Sequence, residues 1–302
     1  MLENLMQAGC FVSIIILGYL LRQTGFFKED AFPLLSRIVL KITLPAAIIS
    51  NFSGKTLDIS VLSVALVGFA VNLIYVTAAY LVNHRQSKQT QAFEMQNLAG
   101  YNIGNFIMPF VQSFLGPAGV ITASLFDVGN SMFSLGGAFS LASLVKDNRR
   151  FSLKRICKTL FTAVAFDTYI IMTVLALINV RLPAMVLNFS DVIARANIFL
   201  SMLMLGVGLR LPNDKSQIGK IVKILFLRYG FAVVFALVTY FLLPFSLQVR
   251  QTILLVLFAP IAAAAPAFTN ELGCDVGLAS AINSASVICS IVFIVILLSV
   301  ML

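Results

Sequence analysis

One stretch of the sequence combines residue types that are costly in an uninterrupted apolar helix. From Gly100 to Pro109 the chain reads GYNIGNFIMP, inside a long apolar run. Pro109 lacks a backbone donor, the glycines loosen the backbone, and the amides of Asn102 and Asn105 need hydrogen-bond partners. Broken backbone at membrane depth is tolerated where it is buried in protein or lines a water-filled cavity. The stretch therefore predicts a broken helix that lines a cavity.

A second interruption lies in the other half of the sequence. Pro260 and Pro266 enclose one isoleucine and four alanines. Small residues let another backbone approach closely, as the crossing of two broken helices requires. Interruptions at corresponding positions of two halves indicate the binding site of a secondary transporter. A kinked, alanine-rich packing helix is the alternative interpretation of this segment.

A broken helix offers free N–H groups at the start of its second half, and these groups attract an anion. Asparagine amides beside such an end supply further donors and acceptors. The alternative is a proline kink whose amides only join neighbouring helices. The residues that we predict to bind substrate are Asn102, Gly104, Asn105, Pro109, Pro260 and Pro266.

Charged side chains inside predicted spans indicate ion, proton or substrate pathways, because they are costly in hydrocarbon. Asp127 lies near the middle of a span, and Arg228 lies about two turns inside another. Protonation, ion coordination and an ion pair with Arg228 all remain open for Asp127, as does a purely structural pair. Arg228 and Lys41 could also extend to the membrane surface. We predict that Asp127 and Arg228 take part in coupling to protons or sodium.

The composition is that of an integral membrane protein. Of 302 residues 60% are hydrophobic and 11% charged, with a mean hydropathy of +0.98. The net charge of +9 is spread over short loops, which indicates membrane topology and argues against a nucleic-acid partner. The four cysteines have no metal-ligand or paired spacing, so we expect no metal, no cofactor and no disulfide framework.

Hydropathy predicts ten membrane spans joined by short loops. These spans are 5–21, 32–51, 59–82, 92–114, 118–145, 156–180, 188–209, 220–243, 250–270 and 276–302.

The basic residues of the loops fall mainly on one side of these spans. Fourteen of the 21 lysines and arginines lie on that side: Arg22, Lys28, Arg85, Lys88, Lys146, Arg149, Arg150, Lys154, Arg155, Lys158, Arg210, Lys215, Lys220 and Lys223. The opposite side receives only Lys55, Arg181 and Arg250. The positive-inside rule then places the basic loops in the cytoplasm and both termini outside it, in a plasma (inner) membrane.

A basic loop near 146–155 divides the ten spans into halves of five, 1–148 and 149–302. Because five is odd, the second half enters the membrane in the opposite sense, which is the inverted repeat of many secondary transporters. The two interrupted spans are then the fourth and the ninth. The predicted fold class is an all-α membrane protein with crossed broken helices at these two positions.

The sequence resembles the auxin efflux carrier family, which includes plant auxin exporters and bacterial carriers of malonate and related carboxylates. The resemblance rests on Asn102-x-Gly104-Asn105-x-x-x-Pro109 and on Pro260…Pro266…Gly273-x-Asp275. Leu44-Pro45 and Gly206-x-Gly208-x-x-Leu211 add weaker support. The long cytoplasmic loop of the plant exporters is absent, so their loop-based regulation is not expected here.

This resemblance implies a five-plus-five inverted repeat like that of bile-acid and sodium/proton carriers. Spans one, two, six and seven would form a scaffold, and the other six a moving transport domain. The substrate carboxylate would lie at the crossover near Asn105, Pro109 and Pro260. The resemblance also makes a homodimer plausible.

The function that we expect is secondary transport of a small organic anion, with no enzymatic activity. An intramembrane aspartyl enzyme that uses Asp127 and Asp167 is one alternative, although no Gly-x-Gly-Asp or His-Glu-x-x-His element is present. A passive anion channel is the other.

Overall fold

The computed structural model describes residues 2–28, 30–55, 59–147, 152–210 and 217–301. This part of the chain is helical, with no strand and one isolated antiparallel bridge. Apolar segments form helices because a helix satisfies its own backbone groups where lipid offers no hydrogen bonds. Arg149, Arg150, Leu211 and Lys215, which contribute to the sequence-based expectations, lie outside the described residues.

The helices within the described ranges are numbered in chain order. They are α1 (Leu2–Gln23), α2 (Ala31–Ile38), α3 (Leu44–Phe52), α4 (Ser63–Val82), α5 (Lys88–Leu98), α6 (Met108–Phe114), α7 (Gly116–Met132), α8 (Ala138–Asp147), α9 (Leu153–Leu160), α10 (Val164–Leu177), α11 (Ala184–Gly208), α12 (Ile218–Leu242), α13 (Leu247–Leu257), α14 (Ala265–Glu271) and α15 (Val276–Met301). Turns of π-helix precede three of the helices, at Val39–Thr43, Ile103–Ile107 and Phe133–Gly137.

Seven helical segments are long and apolar enough to cross a membrane, and a bent pair makes up to eight. The bent pair is α9 and α10, which meet at 79°. The seven segments are Met6–Gln23, Ala31–Phe52, Ser63–Val82, Gly116–Asp147, Ala184–Gly208, Ile218–Leu242 and Val276–Met301. The chain is therefore an all-helical, multi-pass membrane protein.

The two predicted spans outside this set are the two that the sequence predicts to be interrupted. Each begins with an 11-residue helix, continues through non-helical backbone and ends in a 7-residue helix, and in the first of them the π-helical turn Ile103–Ile107 precedes that last helix. The longer helices α5 and α13 both begin at a serine, Ser87 or Ser246, whose hydroxyl accepts a hydrogen bond from the first turn. The shorter helices α6 and α14 both carry a proline, Pro109 or Pro266, in the first turn.

The position of the first break differs from the one that Pro109 suggests. Pro109 lies in the first turn of α6, but the π-helical turn Ile103–Ile107 runs directly into α6, so the helical backbone has already begun at Ile103. The backbone leaves the helix earlier, where Ala99 is extended and Gly100 has a φ of 81°. A positive φ strains a residue that has a Cβ, so Gly100 is the residue that permits this turn.

Two pairs of long helices approach very closely through glycines. α1 packs on α11 at Gly206, and α4 packs on α7 at Gly129. A Cβ at Gly206 would lie 2.0 Å from the Ile15 carbonyl oxygen, and one at Gly129 would lie 2.0 Å from that of Ala65. Small residues produce such contacts between membrane helices because they let the backbones meet.

We expect Gly206→Ala and Gly129→Ala each to destabilise the folded protein by about 1–3 kcal/mol, because the added methyl group overpacks a backbone contact. Gly230→Ala in α12 is the matched control, since a Cβ there meets nothing within 4 Å. Thermal unfolding in detergent should give a lower midpoint for the first two variants only. Equal midpoints for all three would contradict this account of the packing.

Candidate functional site

The two interrupted segments meet backbone to backbone. The Asn102 N–H donates to the Pro260 carbonyl oxygen at 2.9 Å, and the Ala262 N–H donates to that of Gly100 at 3.2 Å. Tyr101 and Ile261 form the antiparallel bridge between them. Each break thus supplies hydrogen-bond partners that the other lacks, which is how broken backbone can persist in the interior of a membrane protein. We call this pairing, of 100–102 with 260–262, the crossover.

Two asparagines from neighbouring helices hold the first segment of the crossover, residues 100–102. Asn72 in α4 accepts from the Gly100 N–H at 2.7 Å. Asn130 in α7 accepts from the Tyr101 N–H at 2.8 Å and donates to the Tyr101 carbonyl at 2.9 Å. The two asparagines also bond to each other, Nδ2 of Asn72 to Oδ1 of Asn130, at 3.2 Å. The crossover backbone is therefore fixed by side chains and does not rely on helical bonds.

Side chains of α15 hold the second segment of the crossover, residues 260–262, in the same manner. The Asn283 amide donates to the carbonyls of Ile261 and Ala262, both at 3.0 Å. The Ser286 hydroxyl accepts from the Ile261 N–H at 3.1 Å. From the sequence, these two residues could be expected only to line a cavity. Their hydrogen bonds give them a definite role in holding the crossover.

Arg228 lies at the centre of this assembly and is fully buried. Its guanidinium donates to the carbonyls of four residues at the ends of α5 and α13, at 2.6 to 3.1 Å: Leu98, Gly100, Ala259 and Pro260. It also lies 4.5 Å from the centroid of the Tyr101 ring. Helix C-termini carry unpaired carbonyls and partial negative charge, so one cation compensates two of them.

The ion pair between Asp127 and Arg228, one of the alternatives for Asp127, is not formed. Asp127 instead accepts a hydrogen bond from Asn130 at 2.8 Å. Arg228 does not extend to the surface either, because its partners are the interior carbonyls at the crossover. The reason is that the crossover leaves carbonyls which need a strong donor, and a guanidinium supplies several in one plane.

A cavity of about 220 Å³ adjoins the crossover. Asn102, Gly104 and Asn105 line it from the first interrupted span, and Ala262–Ala264 line it from the second. Asp127, Lys41 and Tyr169 also line it, together with the residues at the bend between α9 and α10. Lys41 is exposed and is the one cation among the described lining residues. We call this space the crossover cavity.

Three buried polar atoms of the residues that line this cavity are without a hydrogen bond of ordinary geometry. They are the side-chain oxygen of Asn105, whose residue is 4% exposed, and the hydroxyls of Tyr101 and of Tyr169 beside Asp127. An unpaired buried polar group costs about 1–3 kcal/mol. Native proteins keep such groups mainly where a ligand or water completes them. The cavity can therefore bind a polar molecule.

The predicted site residues do not all reach this cavity. Asn102, Gly104, Asn105 and Asp127 line it together. Pro109 is buried in α6, and Pro260 contributes its carbonyl to the crossover. Pro266 lines a different cavity, on the side of the basic loops.

Three residues that the sequence does not single out are central to the geometry. Asn130 and Tyr169 contact Asp127 or its surroundings, and Asn72 holds Gly100. Asn72 could have been predicted to make a buried hydrogen bond, because it is the only amide side chain in the mainly apolar helix α4. A buried amide in a membrane helix needs a partner, but the sequence does not identify that partner.

Comparison with known proteins identifies the family of this chain. No curated protein matches the chain. The model of the family described as "Membrane transport protein" matches residues 10–301, which is nearly the whole sequence. The chain therefore belongs to this family, the auxin efflux carrier family, and is a membrane transporter.

Proposed function

We propose that this transporter moves a small organic anion, such as malonate or an auxin-like acid, by secondary transport. The observation that carries the proposal is the crossover beside a cavity lined by the side-chain amides of Asn102 and Asn105, whose N–H groups can donate to a carboxylate. Pockets for drug-sized ligands measure about 300–1,000 Å³. A cavity of about 220 Å³ suits a smaller guest, and a short carboxylate is of that size.

The charges around the cavity favour an anion. The π-helical turn that starts at Ile103 begins in the cavity wall, and its first N–H groups have no carbonyl partner within the helix. Lys41 adds a positive charge. Asp127 is the one carboxyl among the described lining residues, and it is the group through which a proton or sodium ion would be coupled.

The proposed architecture is ten spans in two inverted halves, 1–148 and 149–302. The interrupted spans support it, because both have a serine-capped 11-residue helix followed by a 7-residue helix with proline in the first turn. The hydrogen bonds of the crossover are also reciprocal, with residues 100 and 102 matched by 260 and 262. Such pairing is expected when two halves are related by an axis in the membrane plane.

Alternating access would move the crossover and its supporting helices against a scaffold of α1, α2–α3, α9–α10 and α11. The crossover cavity lies along that boundary, since its lining comes from the second and sixth spans on one side and from the crossover on the other. We further propose a plasma-membrane location with both termini outside the cytoplasm, and a homodimer.

Uptake of radiolabelled malonate into proteoliposomes, under imposed proton or sodium gradients, tests the transport proposal. We expect saturable uptake that one of the gradients accelerates. In Asp127→Asn the acceleration should disappear while saturable exchange remains, because the variant removes the charge but keeps the size of the side chain. Asp167→Asn is the matched control, since Asp167 is half-buried and is not part of the cavity lining.

Other results would favour other functions. Flux that rises linearly with malonate, without counterflow, would favour a passive channel. An aspartyl enzyme would need both carboxyls at one site, whereas only Asp127 lines the crossover cavity among the described residues. Absence of uptake for every carboxylate in a panel would overturn the substrate class. Gradient acceleration that persists in Asp127→Asn would overturn its coupling role.

A further inference from the structure

A second, larger cavity opens on the side of the basic loops. Its volume is about 300 Å³, and it lies between the ends of α1 and α11, the start of α2, and the helices α14 and α15. Three cations line it, Arg22, Lys28 and Arg210, and no aspartate or glutamate does among the described residues. We call it the basic vestibule. Its lining shares Ala263 with that of the crossover cavity, but the two cavities have no cation in common.

The vestibule leads to the crossover. A narrow space of about 30 Å³ lies next to it, and Phe32, Gly208, Ala263, Asn283 and Ser284 line both. Asn102 lines both this narrow space and the crossover cavity. The narrow space therefore lies between the vestibule with its three cations and a predicted substrate-binding amide.

The path is constricted at Phe32. Its ring packs on the backbone of Gly208 so closely that a Cβ at Gly208 would lie 2.6 Å from the ring carbons. A space of about 30 Å³ holds one or two water molecules, and a carboxylate does not fit. In this conformation the vestibule can hold an anion that cannot yet reach Asn102.

Of the three cations, one is fixed by hydrogen bonds to the backbone and two are exposed. Arg22 is held in place, because one of its guanidinium nitrogens donates to the Leu209 carbonyl at 2.8 Å and to the Val207 carbonyl at 3.3 Å. Lys28 and Arg210 are exposed at the rim. A cleft lined by one sign of charge focuses the electric field and raises the local concentration of the opposite ion.

We propose that the basic vestibule is a second anion-binding site, which captures the carboxylate substrate at the cytoplasmic face before it passes Phe32 to Asn102. This inference rests on the proposed function and extends it, since it separates capture from binding at the crossover. The carboxylate of a soluble acid and the phosphate of a lipid headgroup share the required chemistry. We assign the site to the soluble acid, because small and polar groups such as Ala263, Ser280 and Ser284 line its walls.

The chain contains no tryptophan, so one introduced tryptophan reports on one cavity alone. Ala267→Trp places the reporter in the vestibule, where Ala267 is exposed and lines the wall. Thr162→Trp places it at the exposed rim of the crossover cavity. Both proteins are titrated with malonate at constant ionic strength, in nanodiscs of phosphatidylcholine.

We expect saturable fluorescence changes from both reporters. Adding Lys28→Gln and Arg210→Gln to the Ala267→Trp protein should raise the Kd at the vestibule roughly tenfold, since two partly exposed charges are lost together. The matched control is Lys158→Gln with Lys220→Gln, which removes two exposed charges on the same side that do not line the vestibule. This control should change the Kd by less than about twofold.

The outcomes separate the two proposals. A response from Thr162→Trp but none from Ala267→Trp would overturn the vestibule and leave the proposed function intact. Equal effects of the two double variants would also overturn it, since net charge alone would then act. A vestibule reporter that responds to added phosphatidylglycerol but not to malonate would assign the site to lipid, against the proposal. If no carboxylate changed the fluorescence of either reporter, the result would contradict the proposed function itself.

Discussion

Replacing Arg228 with leucine is expected to abolish the folded protein or to lower its unfolding midpoint further than Gly206→Ala or Gly129→Ala does. The guanidinium donates to four carbonyls at the ends of α5 and α13. Gly100 and Pro260 would keep their backbone partners across the crossover, whereas Leu98 and Ala259 would lose a donor that no other described group replaces. Each buried acceptor left unpaired costs about 1–3 kcal/mol, so the loss approaches the whole stability of many proteins.

The size of this effect is measured by fluorescence-detected gel filtration and thermal unfolding in detergent. Arg228→Lys should be intermediate, because an ammonium supplies three donors on a flexible stem while the site uses four bonds in a fixed arrangement. Arg195→Leu is the matched control, since Arg195 lies in α11 with an exposed side chain. If Arg228→Leu were as stable as the control, the crossover would not depend on the cation.

A charge–charge role for Arg228 predicts a different pattern. If Arg228 mainly balanced Asp127, the double variant Arg228→Leu with Asp127→Asn would regain stability over Arg228→Leu alone. The geometry predicts no such rescue, because Asp127 bonds to Asn130 and the carbonyls of the half-helices would stay unpaired in either background. The two explanations thus differ in one measured midpoint.

The sequence was sufficient to predict the interrupted segments, because their cause is local. Glycine, proline and paired asparagines in an apolar run disfavour a continuous helix whatever surrounds them. The exact position of the break within Gly100–Pro109 was not predicted, because Pro109 looks like a helix breaker but lies in continuous helical backbone, after the π-helical turn Ile103–Ile107. Gly100 breaks the helix instead, and only its positive φ shows this.

The partners of the buried polar groups could not be predicted, because they lie far apart in the sequence. Arg228 bonds to a carbonyl 130 residues away in the sequence, and Asn130 bonds to Tyr101, which is 29 residues away. A sequence indicates that an intramembrane arginine must be satisfied, but an aspartate and a set of carbonyls satisfy it equally well in principle. The prediction of an Asp127–Arg228 pair therefore remained one alternative among several.

Replacing Asn105 should leave the fold intact and strongly reduce transport, which is the opposite of the result expected for Arg228. The Asn105 side chain lines the crossover cavity, and its amide makes no hydrogen bond to the described residues. Its N–H groups can donate to a carboxylate. Removal of the amide in Asn105→Ala therefore costs the folded protein little. A hydrogen bond to a charged group contributes about 1.5–3 kcal/mol, so initial uptake of a carboxylate at limiting concentration should fall roughly 10- to 100-fold.

Asn105→Asp distinguishes the charge of the substrate from the presence of a polar group. The aspartate has the shape of asparagine, but its carboxylate repels an anion in a cavity of low dielectric constant. We expect uptake of malonate to fall further than in Asn105→Ala, and the unfolding midpoint of both variants to stay near that of the wild type. Asn130→Ala provides the contrast, because it should lower the midpoint as well as uptake through loss of the bonds that hold Tyr101. Uptake that is unchanged in Asn105→Ala, or higher in Asn105→Asp, would place the anion elsewhere or give the substrate the opposite charge.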